Sequence, residues 1–221
     1  MKERPIIFNS DMVLAILEGR KTQTRRPVNL PVIDKDWLIE LAPCELAGEI
    51  NNGNLTNSKY GRVGDLLYVK ESAWMWCERI PNGTTPTGRA KYRNKPLRSA
   101  PIYYVSDHPD KPDTDVVSPN TGNKFCWCYK AARFMPRWAC RIIDGITNVR
   151  VERLQDISEQ DAIAEGCLNS IHLQNAHLAY ENFSWLWQSI YGDESWSSNP
   201  WVWVIEFKVL TTNGQIPQEA A

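Results

Sequence analysis

No run of about eighteen consecutive apolar residues occurs in this chain of 221 residues, so no membrane-spanning helix and no membrane partner are expected. The opening Met1-Lys2-Glu3-Arg4-Pro5 has no long apolar segment behind it, which reads as a protein without a secretory signal, working in the cytoplasm. The common signatures of nucleotide binding and hydrolysis are missing as well: no P-loop, G-x-G-x-x-G, H-E-x-x-H or G-x-S-x-G is present. Excess charge is lacking. A net charge of −1 excludes a generally basic protein that coats nucleic acid, so any such binding must come from a local patch. Histidine is scarce, at three residues, and the six cysteines include one close pair, Cys126-x-Cys128. Together with Cys140, Cys167, His108, His172 and His177 that pair fits no common zinc spacing, so no metal and no cofactor are expected. The cysteines read as reduced thiols rather than as a disulfide framework. No internal repeat is visible.

What is present suffices for a core. Hydrophobic residues make up 43% of the chain, enough for one enlarged domain over 1–210 followed by a disordered tail, 211–221. Nine of the ten tryptophans cluster as Trp74/Trp76, Trp127/Trp138, Trp185/Trp187 and Trp196/Trp201/Trp203. Core filling explains most of them, with stacking on a nucleic-acid base as the sharper alternative for one or two.

Local patterns give an order of elements. Ile6-Ile7-Phe8 reads as a short strand, after which Asn9 or Ser10 caps a helix with Met12, Val13, Ile16 and Leu17 on its apolar face and Gly19 as its stop. Residues 27–62, with three prolines and Asn51-Asn52-Gly53-Asn54, read as a loop-rich excursion. Leu66 to Glu71 alternates as a strand, placing Glu71 on the face of Leu67 and Val69. A second excursion, about 78–130, is rich in Pro, Gly and basic residues around a short strand at Ile102 to Val105. Its cations, Arg79, Arg89, Lys91, Arg93, Lys95 and Arg98, read first as a solvated face and second as a nucleic-acid contact. Two strands, Ala139 to Ile143 and Ile146 to Leu154, are expected to meet at an Asp144-Gly145 hairpin turn. Ser158 caps a helix through Glu165 that Gly166 ends, a second helix covers Ala176 to Ile190, and Trp201 to Val209 forms a buried last strand.

The chemistry-bearing stretch is Gly19-Arg20-Lys21-Thr22-Gln23-Thr24-Arg25-Arg26. Such a cluster suits phosphate, and a lysine with a threonine also suits nucleophilic chemistry. A threonine hydroxyl needs a base to take its proton, and a neutral lysine is one such base. Moving a lysine pKa from ~10.4 to about 7 requires about 4–5 kcal/mol of differential interaction. Burial beside Arg20, Arg25 or Arg26 is a source for it. Residues three apart face opposite sides of a regular strand, so Lys21 and Thr24 cooperate only where the chain bends; otherwise both are solvated surface side chains.

Four phrases in order, Gly-Arg-Lys-Thr-x-Thr-x-Arg, Val-Gly-Asp-x-Leu-x-Val, Ser-Glu-x-x-Ala-x-x-Glu-Gly and Val-Ile-Glu-Phe, resemble the ASCH domain of the PUA-like superfamily. The likeness covers roughly residues 4–26, 61–76 and 135–209, and Met-Pro-Arg-Trp-Ala and Asn-Pro-Trp-Val-Trp are similar to phrases in its larger phage and prophage members. It implies an α+β fold: a small, mostly antiparallel β-barrel flanked by helices, with loop-rich insertions at about 27–62 and 78–130. It also implies an amidohydrolase acting on an acylated nucleoside such as N4-acetylcytidine, or on a related small amide, with Lys21, Thr24 and Glu165 as catalytic residues. Arg20, Arg25, Arg26 and Glu71 are then candidate substrate-binding residues. Glu165 would orient Lys21 or protonate the leaving nitrogen, while close pairing with Lys21 opposes the base role. Glu71 has pairing with Arg141 or Glu206 as its plainer alternative. The rival reading is a non-catalytic module for RNA or a nucleotide, held by Arg20, Lys21, Arg25 and Arg26; a third is an accessory protein that binds a host protein through its insertions. The oligomeric state is left open.

Overall fold

The structure, a computed structural model, describes residues 1–112, 116–117, 124–167 and 178–215. Mixed α+β architecture with mostly antiparallel sheets follows from the patterns above. In chain order the strands are β1 (Glu3–Ile7), β2 (Gln23–Pro27), β3 (Val32–Ile33), β4 (Glu40–Leu41), β5 (Leu66–Lys70), β6 (Ala73–Thr84), β7 (Ala90–Pro96), β8 (Ile102–Tyr104), β9 (Val116–Val117), β10 (Lys124–Lys130), β11 (Ile143–Arg153) and β12 (Trp201–Thr211). The α-helices are α1 (Ser10–Leu17), α2 (Pro43–Asn51), α3 (Glu159–Ala164), α4 (Ala179–Tyr191) and α5 (Glu194–Ser197). None of the described helices is long and apolar enough to cross a membrane. The chain divides into two compact units: the first holds Met1–Arg4, Ala15–Tyr68 and Ile142–Ala221, the second Pro5–Leu14 and Val69–Arg141.

The first unit is organised around β11 and β12, the central pair of a sheet ordered β1-β5-β11-β12-β2, with β1 and β2 at its ends. Val149, Val151, Val202, Val204 and Ile205 are all buried, as expected for strands covered on both faces. Beside them Leu154, Ile157, Ala162, Phe183 and Trp187 pack with Val202 and Val204 into one cluster, which fixes α3 and α4 against β12. Capping sets where these helices begin. Ser158 Oγ accepts the Asp161 N–H at 3.1 Å, and both Glu159 oxygens accept N–H groups at the start of α4, from Ala179 at 2.6 Å and Tyr180 at 3.0 Å. The expected start of that helix at Ala176 lies outside the described residues, as do His172, His177 and 216–221.

Two expectations are corrected here. Asp144-Gly145 is no turn: β11 runs unbroken through both residues, pairing Asp144 with Leu67 on one side and Val209 on the other. A reversal there would break ladder bonds to two neighbours, and the dipeptide instead sits beside a register shift between Ile143 and Asp144. The stretch 27–62 is no simple loop either. It contains α2, with Pro43 at its first position, Glu45 accepting the Ala42 N–H at 3.0 Å, and Leu46, Ala47 and Ile50 buried. Asn51 ties α2 to β11 through both ends of its amide, at 3.0 Å to Val151 O and 3.0 Å from Val151 N.

In the second unit a sheet ordered β7-β6-β10-β9, with β8 also on β6, occupies much of the second expected excursion. Period-two alternation puts Ala73, Met75 and Cys77 of β6 into a cluster with Met135 and Ala139, while Trp76 of the opposite face meets Trp127 at 5.0 Å between ring centroids. Cys126 and Cys128 share one face with their sulfurs 3.5 Å apart. Burial pushes the Cys128 thiol above its ordinary value.

Candidate functional site

The basic octet begins where α1 ends. Gly19, at φ 74°, reverses the chain, and the N–H groups of Arg20 and Lys21 both reach Ala15 O, at 2.9 and 3.0 Å. Lys21 then forms an isolated antiparallel bridge with Glu165, while Thr22 donates to Ala164 O at 2.8 Å and accepts from Phe207 N at 2.9 Å. Residues 21–22 are thereby clamped between the end of α3 and β12. Gly166 makes the close approach feasible. At φ 92° it would place a Cβ 3.1 Å from the Ala15 Cβ and 3.3 Å from the Lys21 Cβ.

This clamp brings two distant residues together. Lys21 Nζ donates to Glu165 Oε2 and to Glu165 O, both at 2.8 Å, and the side chains are 0% and 3% exposed. Arg25 Nη1 reaches the other oxygen of Glu165 at 3.3 Å, and Arg25 also bonds Glu152 Oε1 through Nη2 at 2.5 Å and lies 3.5 Å from Asp161 Oδ2. Arg150 continues the network to Glu152 at 2.9 Å, Asp161 at 3.1 Å and Glu206. Removing such charges from water costs several kcal/mol per ion, so a fully buried lysine persists only where its surroundings hold it.

Burial is the largest influence on Lys21 and lowers its pKa below the ordinary 10.5; Glu165 pulls the other way, and the Arg26 charge adds to the lowering. Arg25 explains how Glu165 stays balanced when Lys21 is neutral, because a guanidinium never gives up its proton. Thr24 is fully buried on β2, and its Oγ1 accepts from Arg26 Nη1 at 2.9 Å. Arg26 therefore links the two chemical candidates: it binds the threonine oxygen and weakens the lysine's hold on its proton. The surface-strand alternative for Lys21 and Thr24 does not apply to these buried side chains.

The remaining candidates have other places. Arg20 bonds Glu18 at 2.7 Å and Gly166 O at 3.2 Å, bracing the turn. Glu71 belongs to the second unit, where Arg141 grips both its oxygens at 2.9 and 3.0 Å and Ser106 adds a bond at 2.9 Å. That is the plainer of its two expected fates. Sequence reasoning missed the ion-pair roles of Glu152 and Asp161, whose partner Arg25 lies on β2, and Gln23, which is 3% exposed and whose side chain, with that of Ser158, helps hold the Asp161 carboxyl below its usual range against the effect of burial. Only the position of Gln23 between Lys21 and Thr24 signalled it. Neither a family model, nor a curated protein, nor a solved structure matches this chain.

Proposed function

We propose that the chain is an amidohydrolase of the PUA-like type, its sheet corresponding to that superfamily's barrel, acting on an acylated nucleoside such as N4-acetylcytidine or a related small amide. The observation that carries the reading is the buried Lys21, its pKa lowered by burial and its ammonium position fixed by Glu165. In this scheme neutral Lys21 takes the proton of Thr24 as Oγ1 bonds to the acyl carbon. Lys21 then delivers that proton to the leaving nitrogen as the C–N bond breaks, and water hydrolyses the threonine ester to release the acid. Glu165 is the positioning residue for Lys21, and Arg26 holds the threonine oxygen. Access to side chains this deeply buried requires local opening before substrate can bind.

Incubating the protein with N4-acetylcytidine and following cytidine release tests this. The expected result is turnover that falls about 10²- to 10⁴-fold in Lys21→Met, the range for loss of a positioned base. The wild-type rate rises with pH through a titration below the ordinary lysine value, because the neutral amine is the active form. Equal rates for wild type and Lys21→Met would sink the assignment.

A separate observation favours the rival, RNA-binding reading, with a different set of residues. Lys21 and Arg25 are engaged with the buried Glu165 carboxylate, which competes with any phosphate for their charge. In the second unit, however, a cleft of about 700 Å³ is walled by Lys95, Arg98 and Lys130 together with Phe134 and Trp138. Phe134 is 68% exposed, suited to stacking on a base. Single-stranded RNA would bind with strong salt dependence, and replacing the three cations by glutamine reduces the slope of log K against log salt by about 2. An unchanged slope removes this cleft from consideration.

A further inference from the structure

A second pocket, of about 350 Å³, lies within the first unit, walled by Lys2, Arg4, Lys35, Ser58, Arg62 and Asp65 among others. Four of these side chains are cationic and one is a carboxylate. Asp65 is already committed to backbone: its Oδ1 accepts the Lys2 N–H at 2.8 Å and its Oδ2 the Arg62 N–H at 3.3 Å. Among the described residues none of the four cations forms an ion pair. Two polar atoms of the wall, Arg4 Nε and Ser58 Oγ, are buried without a hydrogen-bond partner among the described residues, and Ser58 is 4% exposed. Buried donors without an acceptor are costly, and a ligand's acceptor oxygens would recover that cost.

The walls are preformed. Asn57 Nδ2 donates to Asp34 at 2.8 Å and to Glu49 at 3.0 Å, and Asn57 Oδ1 accepts the Lys35 N–H at 3.0 Å. Lys35 Nζ bonds the carbonyls of Thr56 and Ser58 at 2.5 and 3.2 Å, holding the loop that presents the Ser58 hydroxyl. The Leu66 N–H bonds Lys2 O at 2.8 Å, which fixes the N-terminal segment beside it.

We propose that this pocket binds a phosphate group. Donors converge from three separate stretches of chain, an arrangement that suits a tetrahedral oxyanion with several terminal oxygens better than a planar carboxylate with two. The site is independent of the amide chemistry proposed above. It takes either inorganic phosphate or the phosphoryl group of a nucleotide, and the two share the same recognition.

Isothermal titration of the full chain with inorganic phosphate, cytidine 5′-monophosphate and cytidine tests this. The two phosphate-bearing probes are expected to bind with affinity that falls as salt rises, and cytidine is not. Arg4→Met and Ser58→Ala each weaken binding about tenfold. Arg62→Met, at an exposed position, weakens it without lowering Tm, which separates lost recognition from lost folding. Whichever phosphate probe binds more tightly identifies the source. Lys21→Met retains phosphate binding, so failure of the hydrolase reading leaves this one standing. Absence of binding by the folded wild type at millimolar phosphate and nucleotide, or affinities unchanged in all three pocket variants, overturns the proposal.

Discussion

Glu165→Ala lowers the unfolding free energy by about 3–5 kcal/mol, the scale for removing one partner of a buried ion pair. The loss is large because two cations depend on this carboxylate: Lys21 at 2.8 Å and Arg25 at 3.3 Å, neither side chain with any exposure of its own. Lys21 would be left desolvated, with the carbonyl of residue 165 as a remaining acceptor. Arg25 retains Glu152 and Asp161, so the penalty falls mainly on the lysine. The double variant Lys21→Met/Glu165→Leu therefore recovers a large part of the loss, since it removes the stranded charge and fills the space with apolar atoms. Urea unfolding of the two singles and the double at pH 7 measures this coupling. A loss below about 1 kcal/mol in Glu165→Ala would show that the pair is solvated and the buried-lysine argument wrong.

A second large effect is expected from Asp144. Its side chain is fully buried on β11, and neither carboxyl oxygen has a hydrogen-bond partner among the described residues. Desolvation alone pushes its pKa from 3.8 up to about 8, so the folded protein holds a neutral carboxylic acid there. The sign follows from proton counting. Between these two values the folded state keeps the proton and the unfolded chain has released it, so stability falls as pH rises through that window. The Asp144 contribution to this fall is about 6 kcal/mol, at 1.36 kcal/mol per pH unit of the interval. Asp144→Asn has no proton to lose at this position. The difference in urea midpoint between wild type and this variant is expected to change steeply from pH 5 to pH 8, with wild type losing relative to the variant. Lys21 contributes with the opposite sign, its lowered pKa favouring the fold as pH rises, and comparison with Asp144→Asn cancels it. Parallel pH profiles for the two proteins would refute the buried neutral acid.

Short-range signals in the chain account for a definite part of this structure. Ser158 with Asp161 and Gly166 bracketed α3, and Gly19 marked the end of α1, because capping and positive φ are properties of a few adjacent residues. The apolar run from Trp201 likewise announced β12. Signals failed where tertiary pairing overrides local chemistry. Asp144-Gly145 has hairpin composition, yet two neighbouring strands claim its backbone, and the ladder prevails. The long β6 hairpin was hidden by Pro81 and Gly83 and by cations that alternate along β7 at exposed positions. Within α2 the spacing of Leu46 and Ile50 behind Pro43 was a readable signal, masked by the flanking loop composition.

For the candidate site the division is sharper. The sequence by itself determined that a lysine, two threonines and three arginines lie in one octet, and that a glutamate closes the α3 helix ahead of a glycine. Those are facts of local order. Only the tertiary structure decided that Lys21 meets Glu165 across 144 positions of sequence, that Arg25 and not solvent takes the second carboxylate oxygen, and that Glu71 is claimed by Arg141. The physical reason is that burial and charge pairing depend on which chain segments exclude water together. The same amino acids on an open strand would keep ordinary proton affinities, whereas clamped between α3 and β12 the lysine loses hydration and its hold on its proton weakens.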